Sequence, residues 1–527
     1  MFSHQSIIIY YTFAMNILPL FRSNKMISLL SSRFDSYKNL LHKLSKYLLL
    51  VCLGICLLSA AGCQSQLARN DEAGAIRLTL WQGVNPPPNR DVLQGLVDKF
   101  NQTHRDIQVE SLYVGQADQQ MPKILASVVG NAPPDMLWYN PTIAGQLVEL
   151  GAIRPLDEML AASPVKKEIN PALFETMQLG NQIWSVPFAT NNVGIFYRPS
   201  LFKAAGISQL PKTWDEFRQV ARQLTRDTNG DGRIDRYGML LPLGKGEWTV
   251  FTWLPFMWSG GGELGDPPNP PSQGGLQVDP PNPPSQGGLQ VDPPNPPSQG
   301  GLEQQVSPSQ GGLEQQVPPY QGGIQGGSQG LNIVNNGAIA SLQFWRNLID
   351  DGSAILSLPE RGYELDGFLA GKVAMQITGP WTLGQLQDTK VDYGVFPIPA
   401  QARSATSLGG ENLFIFKTTP EREKAAFKFA EYVLSQEFQT EWALKTGYLP
   451  VNLKASQSQA YQEFANKTPA VKVFLEQAKN ARSRPISPGY NRISENLGRA
   501  IEAVLLGKSS PADALKASQQ RLNLIFQ

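Results

Sequence analysis

The chain has 527 residues, which is enough for two or three domains with sizeable hydrophobic cores. Basic and acidic residues nearly balance at 45 and 44, and after position 62 there remain 39 basic against 43 acidic side chains. That net charge of −4 argues against a nucleic-acid partner, which would need a basic surface. All three cysteines lie within the first 63 residues, so the rest of the chain can form neither a disulfide nor a cysteine-based zinc site.

Residues 47–61 form an apolar run that Lys43 and Lys46 precede. The run is short for a membrane span and typical of the hydrophobic region of a signal peptide. It ends in Ser-Ala-Ala-Gly-Cys at 59–63, which resembles the lipobox of bacterial lipoproteins. The resemblance implies that Cys63 is lipidated and anchors the mature protein to the membrane. A single uncleaved anchor helix is the alternative, and either way we assign residues 1–63 to the N-terminal extension, signal peptide and lipobox.

The first predicted elements of the body alternate between strand and helix. An alternating run at 76–81 predicts a strand, apolar residues at helical spacing over 92–100 predict a helix, and 107–114 predicts a second strand. A helix at 121–129 then leads to a buried strand near Trp138. This order predicts a parallel sheet whose ligand lies beyond the carboxyl ends of the strands. Candidate ligand contacts there, with core packing an equal alternative for the tryptophans, are Trp81, Gln82, Trp138 and Asn140.

The stretch 184–224 predicts a strand, a turn and two helices. Residues 193–197 form a short apolar, β-branched run, and 201–205 form a small helix that a glycine ends. Thr213 and Glu216 have the T-x-x-E spacing of a capping box ahead of a helix with an apolar face. This order of elements resembles the segment that leaves the first hinge of the sugar-binding proteins serving ABC importers.

The most specific motif is GKVAMQITGPW at 371–381. It resembles the strand and turn GKVAM-x-I-x-GPW of the same family, whose tryptophan stacks on a sugar. The resemblance implies that Gly379 and Trp381 contact the ligand, whereas Trp381 taken alone could equally be a core residue. At the hinge, Asn191 stands where the family often has an aspartate that bonds a sugar hydroxyl. Because an amide replaces that charge, the identity of the sugar cannot be carried over.

Four further segments resemble the family. Residues 392–397 resemble the second hinge strand, and 407–412 resemble the glycine turn that re-enters the first lobe. Residues 442–451 match the pattern W-x-x-x-x-GYLPV, and 484–490 are similar to the late ligand loop. Capping signals predict two helix starts in this part of the chain, at Thr419-Pro420 and at Ser510-Pro511.

A sugar ring presents an apolar C–H face and a rim of hydroxyl groups. Its site therefore needs aromatic planes and side chains that donate or accept hydrogen bonds. The segments above and the tryptophan cluster at 248–258 supply both kinds. Glu411 and Asn412 follow the glycine turn, and for these two residues the binding of sugar hydroxyls and the capping of the turn are equal alternatives. The remaining candidate ligand residues are Trp248, Trp253, Glu411, Asn412, Arg484 and Tyr490.

The resemblance spans roughly 75–263 and 331–527 and implies an α/β fold of the type II periplasmic-binding-protein-like class. Such a fold has two lobes, a hinge between them and a ligand cleft that closes by bending. The crossing segments are expected near 188–192 and 395–399. The expected domains are lobe 1 at 64–190, lobe 2 at 191–396, a return to lobe 1 at 397–420, and C-terminal helices of lobe 2 at 421–527.

Residues 266–330 differ in composition from the rest of the chain. The 13-residue unit DPPNPPSQGGLQV begins at Asp266 and again at Asp279, and a decaying copy begins at Asp292. One leucine and one valine per unit are too few for a core or a solenoid. We predict a disordered insertion within lobe 2, with protein interaction as the alternative role.

An acidic loop at 227–235 has the D-x-N-x-D-G spacing of a calcium loop. Position 12 of that pattern is Gly238 rather than a bidentate glutamate, so a weak structural calcium site and an ordinary Asx-rich turn remain as alternatives. No other cofactor is expected. The candidate metal ligands are Asp227, Asn229, Asp231, Arg233 and Asp235.

The resemblance implies the substrate-binding component of an ABC importer. Such a protein captures a mono- to oligosaccharide in the periplasmic or extracytoplasmic space and delivers it to the transmembrane permease subunits, and we expect a monomer. The alternatives are a glycerol-phosphate-type or other polyol binder, and a sensory or adhesive sugar-binding lipoprotein. A glycoside hydrolase needs two carboxylates that flank the sugar, and Asp135, Glu247 and Glu411 form no recognisable pair. We therefore predict a binding protein and not an enzyme.

Overall fold

The computed structural model describes residues 74–264, 331–387 and 389–526. The signal segment, Cys63 and the repeat block at 266–330 lie outside these residues, so the statements about them stay predictions. From Ala75 onward the described residues belong to one unit. Each helix within it is too short or too polar to span a bilayer.

The described strands assemble into two large sheets and a two-stranded hairpin. In chain order they are β1 (Ile76–Gln82), β2 (Ile107–Tyr113), β3 (Met136–Tyr139), β4 (Gln178–Leu179), β5 (Gln182–Ile183), β6 (Val186–Asn192), β7 (Gly194–Tyr197), β8 (Tyr237–Leu241), β9 (Ala354–Leu356), β10 (Val373–Thr378), β11 (Gly394–Phe396), β12 (Thr406–Ile415) and β13 (Ala481–Arg482).

Helices cover the faces of both large sheets. In chain order those of the described residues are α1 (Pro87–Thr103), α2 (Ala117–Val129), α3 (Ala144–Glu149), α4 (Asp157–Ala162), α5 (Pro199–Ala204), α6 (Trp214–Leu224), α7 (Glu247–Ser259), α8 (Asn336–Asp350), α9 (Asp366–Leu369), α10 (Leu383–Gln387), α11 (Pro420–Val433), α12 (Gln436–Thr446), α13 (Leu453–Gln457), α14 (Gln459–Lys467), α15 (Pro469–Gln477), α16 (Tyr490–Leu505) and α17 (Pro511–Ile525).

The first large sheet, which defines lobe 1, has the order β13-β12-β3-β1-β2, and β6 pairs with β12. Strands β1, β2 and β3 are parallel, as the alternation of strand and helix predicted. Strand β12 runs antiparallel to both β3 and β6. The carboxyl ends of β1 and β3 therefore meet at one edge of this sheet, at Gln82 and Tyr139.

The second large sheet, which defines lobe 2, has the order β11-β7-β10-β8-β9. Its central strand β10 is buried along its whole length, and its carboxyl end leads directly into Gly379 and Trp381. The chain passes from the first sheet to the second between Asn192 and Gly194. It returns between Phe396 and Thr406. These crossings lie close to the two segments predicted from the sequence.

Helix starts follow the local capping signals. The capping box of α6 is complete, because the Glu216 backbone N–H donates to Thr213 Oγ1 (3.2 Å) while the Thr213 N–H donates to the Glu216 carboxylate. The side chains of Thr419 and Ser510 cap α11 and α17 as predicted. Helix α1 begins at Pro87, five residues before the predicted start, because proline fits the first turn of a helix.

The C-terminal helices divide between the two lobes. Phe429 and Val433 of α11 lie in the same core cluster as Leu80 of β1, and Trp442 of α12 packs edge-on against Phe188 at 5.6 Å. The sequence interpretation placed all of 421–527 in lobe 2, and for these two helices that assignment is corrected. An apolar stripe shows that a helix packs but not which sheet it packs on. Helices α16 and α17 do pack on the core of lobe 2.

Lobe 2 anchors the chain on both sides of the repeat block. Leu264 and Leu331 are both buried in the lobe 2 core. The Asn335 amide donates to the Glu263 carbonyl oxygen (2.7 Å), and the Gln519 amide donates to the Leu331 carbonyl oxygen (3.0 Å). The ends of the insertion are thus held by contacts that do not depend on the insertion itself.

Replacing residues 266–330 by a short Gly/Ser linker is therefore expected to leave the fold intact. Loop closure entropy varies only logarithmically with length, so the free energy of unfolding should change by no more than about 1–2 kcal/mol. Chemical denaturation measures this, with a scrambled block of equal length as control. Loss of cooperative unfolding in the deletion variant alone would show that the block belongs to the fold.

Asp351 joins two helices of lobe 2 through two arginines. Its carboxylate accepts hydrogen bonds from Arg218 Nε (2.5 Å) and Nη2 (2.8 Å) and from Arg222 Nη2 (2.6 Å). The hydrogen bond from Arg218, followed by that from Arg222, outweighs burial and lowers the pKa of Asp351 from 3.8 to about 2. A lowered carboxyl pKa stabilises the fold above pH 3.8, and this stabilisation is lost as the pH falls towards 2.

Asp351→Asn is expected to lower the free energy of unfolding by about 1–2 kcal/mol at neutral pH, after allowance for the partly exposed arginines. The neighbouring Asp350 is a matched control, since its ion pair with Arg346 is half exposed and Asp350→Asn should cost less than about 0.5 kcal/mol. Urea denaturation at neutral pH and near pH 3 measures both variants. Equal effects of the two substitutions would contradict the stabilising role assigned to Asp351.

Candidate ligand-binding cleft

A cleft with a volume of about 610 Å³ lies between the lobes. Lobe 1 contributes residues that follow β1 and β3, and lobe 2 contributes the start of α7 and the turn after β10. This is the carboxyl edge at which the sequence placed the ligand, and the volume suits a small molecule. The predicted residues that line the cleft are Trp138, Asn140, Asn191, Trp248, Trp381, Glu411 and Arg484.

Trp381 spans the gap between the lobes. Its partly buried ring packs against the core clusters of both lobes. The ring centroid lies 5.9 Å from that of Trp248 in lobe 2 and 6.2 Å from that of Tyr448 in lobe 1. The Asn89 amide of α1 donates to the Trp381 carbonyl oxygen (2.9 Å), which fixes the backbone of the turn. Trp381 therefore presents an aromatic surface in the interlobe cleft.

The glycine before this turn has a packing role. A Cβ at Gly379 would lie 2.0 Å from the ring of Trp381, so only glycine allows the indole to fold back over the backbone. Gly379 itself is absent from the cleft lining. The prediction that it contacts the ligand is corrected, because the residue positions the tryptophan and does not itself reach the cleft.

Several buried polar atoms of the cleft have no hydrogen-bond partner among the described residues. The indole N–H groups of Trp138 and Trp248 lack acceptors, and Asn191 Oδ1 and Glu411 Oε2 lack donors. The Asn191 side chain is 2 % exposed. Buried polar groups are normally paired, so these atoms are available for hydrogen bonds with a ligand in the cleft.

The pairing of β12 with β6 is irregular next to Glu411. The pairing of β12 with β6 shifts between Glu411 and Asn412, directly after Gly410, whose φ is +126°. A Cβ at Gly410 would lie 2.2 Å from the Ala189 carbonyl oxygen, so this position requires glycine. Successive side chains of a strand point to opposite faces, and here Glu411 lines the cleft whereas Asn412 does not.

Burial raises the pKa of the Glu411 carboxyl from 4.5 to about 8. The positive charge of Arg484 and a hydrogen bond from the Tyr448 hydroxyl act in the opposite direction but are weaker. Burial and the same carboxyl raise the pKa of Tyr448 well above its ordinary value. The Glu411 carboxyl and the Tyr448 hydroxyl therefore each keep their proton to a higher pH than they would in water.

Arg484 reaches the cleft but its charge is already paired. Its Nη1 donates to Glu247 Oε1 at 2.5 Å, and the guanidinium carbon lies 4.4 Å from the centroid of the Phe251 ring. The hydroxyls of Tyr490 and Ser494 also donate to the Glu247 carboxylate. Glu247 therefore organises a network at the start of α7.

The loop directly before α7 binds a carboxylate of the protein. Glu360 accepts the backbone N–H groups of Lys245 (2.8 Å) and Gly246 (3.1 Å). A Cβ at Gly244 or Gly246 would lie within 2.5 Å of that carboxylate, so the loop 244–246 fits closely around it. Glu360 thus places a negative charge directly before the N-terminus of α7, which is the end of a helix that attracts anions.

The sequence and the fold were compared with those of known proteins. A model of the family described as bacterial extracellular solute-binding protein matches residues 95–471. The chain belongs to this family. A maltotriose-binding protein of Pyrococcus abyssi is 21% identical over 82% of this chain and 78% of its own length. A sn-glycerol-3-phosphate-binding periplasmic protein UgpB of Pectobacterium atrosepticum is 22% identical over 86% and 92%.

The solved structures share the fold. An ABC transporter solute-binding protein from Thermotoga lettingae, crystallised with α-D-tagatose, has a TM-score of 0.67 and 21% identity. The comparison covers 86% of this chain and 100% of that one. The α/β fold of two lobes that the sequence predicted for this solute-binding protein is therefore confirmed.

Three predicted contacts of the solute-binding protein lie in its hydrophobic cores or in backbone turns. Trp253 is fully buried in the lobe 2 core, and Trp81 packs against a cluster of lobe 1. Gln82 is buried, and its Oε1 accepts the backbone N–H of Val84 (2.8 Å). For these three residues the ligand-binding prediction is corrected, because packing or a local turn already accounts for each side chain.

Two further predicted residues act on other side chains. The Asn412 amide donates to the Thr176 carbonyl oxygen (2.7 Å) and to Ser185 Oγ (2.8 Å), away from the cleft. Tyr490 is fully buried and holds Glu247, so it supports the cleft without lining it. Burial raises the pKa of the Tyr490 hydroxyl well above its ordinary value. The prediction of direct ligand contact is corrected for both.

The cleft also contains residues that the sequence did not indicate as ligand contacts. Tyr448 lies in the recognised GYLPV segment, and its ring packs between Trp381 and Trp442. An aromatic residue directly after Gly447, a left-handed glycine that ends α12, was the available signal. Phe251 of α7 and Lys245 just before it also line the cleft, and no sequence pattern marks either residue as a ligand contact.

The acidic loop at 227–235 forms turns of its own. Asp227 accepts the backbone N–H groups of Gly232 and Gly230, both at 2.7 Å, and these bonds lower the pKa of its carboxyl. Asp231 accepts the N–H of Arg233 (2.8 Å). In the described part of the chain no group of three or more His, Cys, Asp or Glu side chains is arranged to hold a metal. These hydrogen bonds are those of an Asx-rich turn.

The calcium hypothesis stays a prediction with a simple test. A calcium-dependent rise in melting temperature that Asp231→Ala removes would support it. An unchanged melting temperature of the parent protein in calcium would leave the loop as a turn only.

Proposed function

We propose that this protein is the substrate-binding component of an ABC importer, and that it captures a sugar in the extracytoplasmic space and delivers it to the transmembrane permease subunits. One observation carries this proposal. Aromatic surfaces and unpartnered hydrogen-bonding atoms of both lobes meet in a single cleft. That combination matches the apolar face and the hydroxyl rim of a sugar ring.

The relatives leave two ligand classes to separate. The Pyrococcus abyssi relative is named for maltotriose, and the Pectobacterium atrosepticum relative is named for sn-glycerol 3-phosphate. In this chain the Glu360 carboxylate binds the loop directly before α7, and Arg484 is paired with Glu247. Placing a phosphate beside these carboxylates would cost electrostatic energy. The charges of the cleft therefore favour a sugar without an anionic group.

The cleft geometry also favours binding over hydrolysis. A glycoside hydrolase needs one carboxyl as acid and another as base or nucleophile on either side of the sugar. Glu247 is held by three donors, which suits a structural role, and the Pyrococcus abyssi relative is named as a binding protein. We propose that the sugar leaves the cleft unchanged.

Calorimetric titration against mono-, di- and trisaccharides, glycerol and sn-glycerol 3-phosphate tests this proposal. We expect at least one sugar to bind with a Kd near or below about 1 μM, which corresponds to about −8 kcal/mol, and glycerol 3-phosphate to bind at least tenfold more weakly. Chromatography of the recovered ligand should show the intact sugar. Tightest binding of the phosphate ester, or sugar turnover, would overturn the assignment.

The anchoring and delivery steps have their own tests. We propose that Cys63 carries the lipid anchor and that the protein acts as a monomer. Incorporation of a labelled fatty acid into the parent but not into Cys63→Ser would support the anchor, and incorporation into neither would contradict it. Sugar-dependent stimulation of a permease ATPase would separate import from a sensory or adhesive role.

A further inference from the structure

Two unpartnered acceptors of the cleft require donors from the ligand. Asn191 Oδ1 and Glu411 Oε2 are both shielded from solvent and lack a hydrogen-bond partner among the described residues. Both residues line the cleft. An oxygen acceptor that is buried without a donor costs about 1–3 kcal/mol, so the bound ligand should bring N–H or O–H groups to these two atoms.

Glu411 has no direct counter-charge in the empty cleft, and burial therefore raises the pKa of its carboxyl to about 8. Arg484 lies close enough to influence Glu411, but its Nη1 binds Glu247. The other acids of the described lining already have partners: Glu247 pairs with Arg484, Glu495 pairs with Arg499, and Glu360 accepts backbone N–H groups. A hydroxyl group would satisfy the two free acceptors but would give the Glu411 carboxyl no counter-charge.

An ammonium group would supply both donors and the missing positive charge. Next to Glu411, the ring of Tyr448 packs against Trp381, and Trp381 packs against Trp248. Aromatic faces stabilise cations, most strongly where water is excluded. A quaternary ammonium would lack the N–H donors that Asn191 and Glu411 require, so the features together fit a primary amine.

We propose that the sugar recognised by this cleft carries a primary amine, whose ammonium group binds the free acceptors of Asn191 and Glu411 beside the aromatic rings of Trp381 and Tyr448. This inference rests on the proposed sugar-binding function and narrows its ligand class. It assigns Glu411 as the residue that selects an amino sugar over the corresponding neutral sugar.

Matched sugars that differ at one group provide the test. The probes are glucosamine, glucose and N-acetylglucosamine, together with the corresponding galactose series and the β-1,4-linked disaccharides of the glucose series. Calorimetry is carried out at a pH at which the amine is protonated. In at least one series we expect the amine to bind at least tenfold more tightly than both the hydroxyl and the acetamide compound, since the acetamide keeps a donor but has no charge.

Variants of Glu411 assign the preference to its carboxylate. Glu411→Gln should reduce the preference for the amine to threefold or less, whereas Glu411→Asp, which keeps the charge, should retain part of it. Glu110→Gln is the control, because this residue is exposed on β2 and its substitution removes the same charge outside the cleft. The control should keep the full preference.

The outcomes separate the two proposals. Equal or tighter binding of the neutral sugar by the parent protein overturns the amine proposal and leaves sugar binding intact. A tenfold preference that survives Glu411→Gln overturns the role of Glu411. Failure of every sugar to bind, charged or neutral, overturns the proposed function itself. If Glu411→Gln does not fold, the comparison of probes on the parent protein still decides.

Discussion

Trp381→Ala is expected to lower the affinity for the sugar at least tenfold without unfolding the protein. Trp381 is the aromatic residue that packs against both lobes at the cleft, so its removal takes away a stacking surface that the ligand would use. A tenfold loss corresponds to about 1.4 kcal/mol, which is a modest value for an aromatic stacking contact. Calorimetric titration of parent and variant measures it.

The matched control for Trp381→Ala is Trp184→Phe. Trp184 is a partly buried tryptophan of lobe 1 that lies outside the cleft lining and donates its indole N–H to the Leu179 carbonyl oxygen. Its conservative replacement should change the sugar affinity by less than twofold. Thermal unfolding of both variants checks the fold. Parent-like affinity of a folded Trp381→Ala protein would contradict the assigned cleft.

Glu411→Gln is expected to make the ligand-free protein more stable at alkaline pH. Burial raises the pKa of this carboxyl from 4.5 to about 8, so the folded protein holds the proton more tightly than the unfolded chain between these values. Stability is therefore full below pH 4.5 and falls as the pH rises through 8. With allowance for partial hydration of this half-buried residue, the free energy of unfolding should fall by about 3 kcal/mol over this pH range.

Urea denaturation between pH 4.5 and 8.5 measures the slope of the free energy of unfolding against pH. The parent should lose stability across the range, and Glu411→Gln should remove most of the loss because its amide oxygen can still accept from Tyr448. Glu110→Gln, which changes an exposed carboxyl of the same lobe, should keep the parent slope. An unchanged slope in Glu411→Gln would show that another group titrates.

The features that depend on neighbouring residues could be predicted from the sequence. The capping box of α6 and the caps of α11 and α17 use residues within one helical turn, and all three formed as predicted. The motif that ends in Trp381 placed this residue correctly in the cleft because strand, turn and tryptophan form one continuous segment. Contact between Trp381 and a ligand remains a prediction.

The features that depend on packing between distant elements could not be predicted. Trp248 and Trp253 both lie on α7, and a separation of five residues places them about 140° apart around the helix. Only one of them can therefore face the cleft. Because α7 is apolar and buried almost all round, the spacing gave no means of choosing Trp248.

The orientation of strand side chains and the assignment of helices to lobes could not be predicted for the same reason. Neighbouring strand residues face opposite sides, so Glu411 and Asn412 could not both contact a ligand, and the sequence alone does not show which of the two faces the cleft. Helices α11 and α12 carry ordinary apolar stripes, and their position on lobe 1 follows from tertiary contacts with β1 and Phe188.

A crystal structure of the complex with the tightest-binding sugar tests the central claim most directly. The account predicts a sugar ring against the face of Trp381, with polar groups at Asn191 Oδ1 and Glu411 Oε2, the atoms that lack partners in the described cleft. A sugar bound on the outer surface of either lobe, with the cleft between Trp138 and Trp381 empty, would contradict it.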